Sequence, residues 1–257
     1  MEDTMRKTII ITLLSFLIVL GMWAQNPKEI VEKCVTAMGG EEAIKKHLDF
    51  RSEGEVKISI QMMELSGKLK MIKKEKKSWT RGEVTFGNNV FTMILVFDGK
   101  TAWMDRLGTI SDQPSLNFES DLDHTLSLLT EKNATFTLDK ETEIEGKKVM
   151  GINVDFKGKK TTFFIDRETY LPLEIVFKDF YFSESSTKEM LEKRIRYLEF
   201  KNLSGVLFPS KMIFFEKGKK KMEVTFDKVV FNPSISPHIF ERPDQAPDLR
   251  YFEEMIH

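Results

Sequence analysis

Histidine and cysteine, the side chains best suited to metal binding and to nucleophilic or acid–base chemistry, are sparse in this 257-residue chain. His47, His124, His238 and His257 stand singly, and no two share the spacing of a metal-binding pair on one helix. His124, just after Asp121 and Asp123, comes nearest to a metal cluster, but a solvated helix face accounts for it. The one cysteine, Cys34, falls at helical spacing from Ile30, Val31 and Met38, which predicts a buried core thiol and not a nucleophile. There is no Gly-x-Ser-x-Gly elbow and no phosphate-cradling glycine loop, and the acid pairs Glu41-Glu42 and Glu253-Glu254 read as surface charge. We therefore expect no catalytic residue, no metal site and no cofactor, and the chain does not read as an enzyme. What it has in quantity is apolar bulk, with 21 phenylalanines and 14 methionines. Phenylalanine supplies large apolar area, and the flexible thioether of methionine adapts to ligands of irregular shape, although a β-rich core uses both as well.

The elements that would position this bulk are mostly strands. Asn26-Pro27 followed by Glu29 is a helix start, and Ile30, Val31, Cys34, Val35 and Met38 recur at helical spacing until Gly39-Gly40 ends it. A second short helix is predicted over residues 41–48. The period then changes to two: Val56, Ile58 and Ile60 alternate with polar residues, as do Met150, Ile152, Val154 and Phe156, then Leu173, Ile175 and Phe177, and Met222, Val224 and Phe226. Glycine-marked turns separate them, among them Asp98-Gly99, Glu145-Gly146, Lys157-Gly158 and Lys217-Gly218, and such close spacing favours antiparallel hairpins. Residues 90–97, 161–165 and 212–215 are apolar on both faces, so each needs a cover on both sides. The apolar phase slips from Phe226 to Val229, which predicts a bulge near Asp227-Lys228 and hence a sheet that curls. One helix is expected over residues 118–131, with Phe118, Leu122, Leu126 and Leu129 along one side and Glu119, Asp121 and Asp123 in its first turns. Residues 183–193 fit either another helix, with Met190 and Leu191 inward, or a long polar loop.

The first residues carry an address. Arg6 and Lys7 precede an apolar run over residues 8–23, and Ala24 leads into Gln25-Asn26-Pro27, the pattern of a secretory signal cut after Ala24. The run is shorter than the roughly 20 residues of a membrane-spanning helix. No cysteine follows it directly to carry acyl groups, so the mature form is expected to be soluble. The domain reading is a signal peptide over 1–24, a single domain over 25–243 and a C-terminal extension over 244–257. Lysine plus arginine (39) nearly balances aspartate plus glutamate (40), so no global field recruits nucleic acid. Two lysine runs stand out, at residues 73–77 and 217–221, and both read first as solvated turns.

Several ordered pieces resemble the periplasmic outer-membrane lipoprotein-sorting family, the LolA/LolB-like group. They are Met38-Gly39-Gly40-Glu41-Glu42-Ala43-Ile44 with Ser52-Glu53-Gly54-Glu55-Val56, then Val96-Phe97-Asp98-Gly99-Lys100-Thr101-Ala102-Trp103 and the stretch from Phe164-Ile165-Asp166-Arg167 through Tyr170-Leu171-Pro172-Leu173. Gly205-Val206-Leu207-Phe208-Pro209, Phe231-Asn232-Pro233 and Phe240-Glu241-Arg242-Pro243 complete the set. The resemblance implies an unclosed antiparallel β-barrel, a curved half-barrel with helices over its concave apolar face. It also implies a carrier of lipid or lipoprotein acyl chains in the periplasm, delivering toward the outer membrane. Membrane-protein donors and acceptors in the envelope would serve it, and a monomer is expected. An envelope lipid or stress sensor with the same fold is the alternative. Combined with the periodicity, this makes Ile58, Ile60, Leu69, Phe97, Trp103, Phe118, Leu122, Leu126, Leu129, Ile152, Val154, Ile175, Phe177 and Phe226 the expected lining of the apolar cavity and its lid.

Overall fold

The computed structural model describes residues 26–46, 49–60, 63–106, 109–112, 126–182 and 188–242. The signal segment, Phe118, Leu122 and the extension over 244–257 lie outside the described residues.

The chain opens with helix α1, Pro27–Ala37, capped by Asn26, whose Oδ1 accepts the Lys28 N–H at 3.0 Å. Its inward face is Ile30, Val31 and Cys34, as the spacing predicts, and helix α2, Glu41–Lys46, buries Ala43 and Ile44. Gly39 between them has φ +104°, and a side chain there would meet the Gly205 carbonyl oxygen at 2.6 Å. The Leu207 N–H also donates to the Met38 carbonyl (3.4 Å). Two of the stretches that carry the family resemblance therefore touch one another.

A 14-stranded antiparallel sheet follows. Its N-terminal strands are β1 Asp49–Ile60, β2 Met63–Lys74, β3 Lys77–Phe86, β4 Asn89–Phe97, β5 Ala102–Arg106 and β6 Thr109–Asp112. After a 3₁₀ turn, Leu128–Thr130, come β7 Thr135–Leu138, β8 Thr142–Ile144, β9 Lys147–Phe156, β10 Lys159–Asp166, β11 Pro172–Phe182 and β12 Lys188–Tyr197. A separate hairpin, β13 Phe200–Leu203 and β14 Val206–Pro209, precedes β15 Lys211–Glu216 and β16 Lys219–Phe231, and a 3₁₀ helix over Pro237–Phe240 ends the described chain. The order across the sheet is β6-β5-β4-β3-β2-β1-β16-β15-β12-β11-β10-β9-β7, with β8 paired with β9, and the curved sheet does not close, because β6 and β7 at its two edges do not pair with each other.

The bulge falls where the phase slip predicts it. Glu53 pairs with Lys228 while Gly54 pairs with Phe226, which leaves Asp227 as the extra residue. An extra residue on one strand bends the pair and increases its twist. A side chain at Gly54 would run into the Thr225 carbonyl, so close approach of the backbones demands glycine there. The segment 183–193 is neither helix nor loop over its described part: residues from Lys188 onward form β12, with Leu191 opposite Asp179 and Ile195 opposite Ile175. Alternation of Leu191, Ile195 and Tyr197 with charged neighbours is a strand pattern, and cross-strand pairing prevailed over helix propensity.

Candidate functional site

Cross-strand register divides the sheet into a concave and a convex face. Phe50, Ser52, Gly54, Val56, Ile58 and Ile60 alternate onto the concave side of β1. Their partners continue it through Leu65, Leu69 and Met71 on β2 and Val84 on β3 to Phe91, Met93, Leu95 and Phe97 on β4. In the other direction the face runs through Met222, Val224 and Phe226, Met212 and Phe214, Ile195, Ile175 and Phe177, Phe163, and Ile152 and Val154. The face is mostly apolar, and the register also sets Lys73 across from Phe50 and Lys193 across from Phe177 on it.

Its burial is uneven. At one end the β13–β14 hairpin lies over the sheet, and the Phe208 ring meets Phe50, Phe226 and Phe231 edge-on at 5.5, 5.6 and 5.9 Å. Helices α1 and α2 and the 3₁₀ turn add Cys34, Met38, Ile44, Leu126 and Leu129 to the same packed core. Burial pushes the Cys34 thiol up to about 12, so it is un-ionised and unreactive. Away from the plug, both toward the β1–β2 and β15–β16 connections (Ile58, Leu65, Phe177, Phe214 and Met222) and sideways onto β2 and β4 (Met71, Met93, Leu95 and Phe97), the concave residues are only half-buried. This half-covered apolar trough is the candidate site.

The convex face explains the strands that are apolar on both sides. Behind β2–β5, Ile72, Trp79, Ile94, Val96 and Trp103 pack under Ile239 and Phe240 of the C-terminal 3₁₀ helix. Behind β10, Phe164 packs on Ile144, Val149 and Leu173. Behind β15, Phe215 lies under the Arg196 guanidinium at 5.2 Å. That guanidinium also bonds Glu174 (2.8 Å) and Glu145 (2.7 Å), and Arg194 reaches Glu174 at 2.9 Å, so the buried Glu174 is held by two cations.

Of the expected lining residues, Leu69, Leu126, Leu129, Ile152, Val154, Ile175 and Phe226 belong to the packed concave core, and Ile58 and Phe177 sit half-buried against it. Phe97 is half-buried at the end of β4, and Ile60 is exposed at the end of β1. Trp103 requires a correction: Phe97 pairs with Ala102, so Ala102 and Met104 face the trough while Trp103 points into the convex cluster. The turn between Asp98 and Thr101 sets that phase, with Asp98 Oδ1 accepting the Lys100 and Thr101 N–H groups at 2.7 Å each. The expected lining left out Leu65, Met71, Met93, Leu95, Phe214 and Met222, although Met222 shares the period-two run of Val224 and Phe226. The signal for them was register, since each lies directly across from a concave residue on a neighbouring strand. His238 is exposed and stands 3.0 Å from Glu241, and among the described residues no group of three or more His, Cys, Asp or Glu is placed to hold a metal.

The stretches behind the family resemblance are turn devices. Asp166 Oδ1 accepts the Glu168 and Thr169 N–H groups at 2.8 and 2.9 Å, which shapes the β10–β11 turn as Asp98 shapes β4–β5. Burial alone would raise the Asp166 carboxyl, but those N–H groups and Lys147 outweigh it and hold it below the usual carboxylate range.

The chain is an unclosed antiparallel half-barrel with a plugged, packed part and a half-covered apolar trough beside it. The fold is LolA-like. A LolA superfamily protein from Nitrosomonas europaea superposes with a TM-score of 0.53 at 14% identity, over 85% of this chain and 99% of that one. A DUF1329 family protein from Desulfovibrio piger superposes with a TM-score of 0.52 at 13% identity, over 84% of this chain and 97% of the other. No family model matches the chain, and no curated protein does.

Proposed function

We propose that this protein is a non-catalytic carrier that takes acyl chains of lipids or lipoproteins into the trough and passes them toward the outer membrane. The observation that carries the reading is the half-burial of a contiguous apolar strip, Ile58, Leu65, Met71, Met93, Leu95 and Phe97, beside a fully packed core. A soluble fold gains by burying such surface, and here the fold leaves it for something else to cover. An acyl chain suits it, because the strip carries no array of charges that would specify a polar ligand. Burial is worth about 0.8 kcal/mol per methylene, so a long chain fully enclosed would be held too tightly to hand on. A trough that covers only part of the chain moderates that affinity. The N-terminal signal pattern fits work in the periplasm of a Gram-negative-type envelope, with membrane proteins as donor and acceptor and the carrier as a monomer.

Native mass spectrometry of protein purified from its own envelope tests the reading. A bound species with the mass of a lipid or fatty acid is expected, displaced by added fluorescent fatty acid. Protein that emerges ligand-free and fails to bind the probe would remove the carrier reading.

A further inference from the structure

The sheet's two ends are chemically unlike. The strand ends joined through β1–β2, β3–β4, β9–β10, β11–β12 and β15–β16 lie at the end away from the β13–β14 plug, because the strands alternate in direction from one to the next, whereas the β2–β3 turn lies at the plug end. At that end the apolar face does not stop at the rim. Ile60, Met63, Phe86 and Phe91 continue its concave phase to the ends of two neighbouring hairpins, exposed by 45, 49, 50 and 43%. Val90, 60% exposed, lies on the convex side of the same β3–β4 tip. A residue that only lined the trough would not be needed there.

Further round the rim, the β9–β10 and β15–β16 turns carry Lys157, Lys159 and Lys160 and Lys217, Lys219 and Lys221, all exposed. Lys220 is taken up locally, bonded to Glu223 at 2.7 Å and facing Glu64 at 4.0 Å. The other acids at these turns, Asp155 and Glu216, leave the two loops with a cationic excess. One rim thus combines apolar hairpin tips, that of β3–β4 apolar on both sides, with lysine turns on the same edge.

We infer that this rim docks on the surface of an anionic bilayer, the hairpin tips entering the acyl boundary and the lysine turns meeting the headgroups. Apolar and cationic groups arranged side by side are what interfacial binding requires, and negative lipid charge complements the lysines. Docked this way, the trough opens toward the membrane along an unbroken apolar path from Phe86 and Phe91 to Leu95, so a chain leaving the bilayer crosses no polar barrier. The inference rests on the carrier reading for its purpose, but its test does not.

Sedimentation with vesicles of phosphatidylcholine mixed with phosphatidylglycerol, and with pure phosphatidylcholine, provides that test, with full-length mature protein and two variants. Wild type should sediment with the mixed vesicles, less with the neutral ones, and progressively less as salt rises. Charge neutralisation in Lys219→Gln and Lys221→Gln should weaken binding about fivefold for each lysine removed, and Phe86→Ser about tenfold. Circular dichroism melts show whether each variant is folded, and all these positions are exposed. Wild type that stays in the supernatant with mixed vesicles, or variants that bind as well as wild type, would overturn the docking. Fatty-acid displacement in solution, run on the same samples, separates the two claims: displacement without vesicle binding removes only the docking, and vesicle binding without displacement removes the carrier reading.

Discussion

Replacing Phe208 by alanine and, separately, Leu95 by alanine should have opposite consequences, because Phe208 plugs the packed β1–β16 part of the apolar face while Leu95 lies on its half-buried β4 flank. Phe208 is 1% exposed and meets three other rings edge-on. Removing a buried phenylalanine costs about 3–5 kcal/mol, and three lost ring contacts put this site toward the upper part of that range. For a chain of this size each kcal/mol moves the melting temperature by about 2–4 °C, so Phe208→Ala should melt about 10–15 °C lower. Leu95 is half-buried, so Leu95→Ala should cost only about 1–2 kcal/mol of stability. An acyl chain lying on Leu95 buries the rest of it, and losing that contact should weaken binding about 5–30-fold. Denaturant melts and fluorescent fatty-acid displacement on both variants read the two effects, with affinity taken below the melting transition. A Leu95→Ala protein with unchanged affinity and a large stability loss would show that Leu95 is core and that the trough is not the site. Loss of affinity in folded Phe208→Ala would equally refute the division between plug and trough.

Asp166→Ala should cost about 1–3 kcal/mol, since two backbone N–H groups lose their acceptor in the β10–β11 turn. The folded-state carboxyl is held below its ordinary value of 3.8, so its contribution is present above that pH and lost as pH falls through the folded value; urea melts at descending pH should show a shallower decline in the variant. Glu174→Ala should destabilise by about 2–4 kcal/mol by leaving Arg194 and Arg196 without their shared carboxylate, measured by the same melts. Cys34, with its thiol pushed up to about 12 by burial, should resist iodoacetamide at neutral pH and react on unfolding, with the rate followed by intact mass. Gly39→Val should lower the melting temperature by several degrees, because φ +104° and the Gly205 carbonyl both exclude a side chain, and fast labelling of native Cys34 in that variant would report a loosened α1.

Much of the fold was legible because it depends on local alternation. The helix from Pro27, the hairpins and the slip at Asp227 are all patterns within a few residues of chain, and period-two runs next to glycine turns leave little else for these strands to do. Faces were harder to read than strands. Trp103 looked like trough lining because it follows an apolar strand across a short turn, yet the Asp98 turn shifts β5 by one residue and sends the indole to the other side. The trough's half-buried residues were equally hidden: Leu65 and Leu95 carry no motif, and only their partners Ile58 and Thr80, found through register, place them on the concave face. The two-sided strands did signal that a second layer existed. They could not say that Ile239 and Phe240, far along the chain, would supply it.

The most direct measurement is photocrosslinking with a diazirine-bearing fatty acid, followed by peptide mapping of the modified protein. The account predicts adducts concentrated on the half-buried concave residues, above all on Met71, Met93, Leu95 and Met222, and lost in competition with unlabelled fatty acid. Adducts confined to the convex face, or none that a competitor removes, would contradict it.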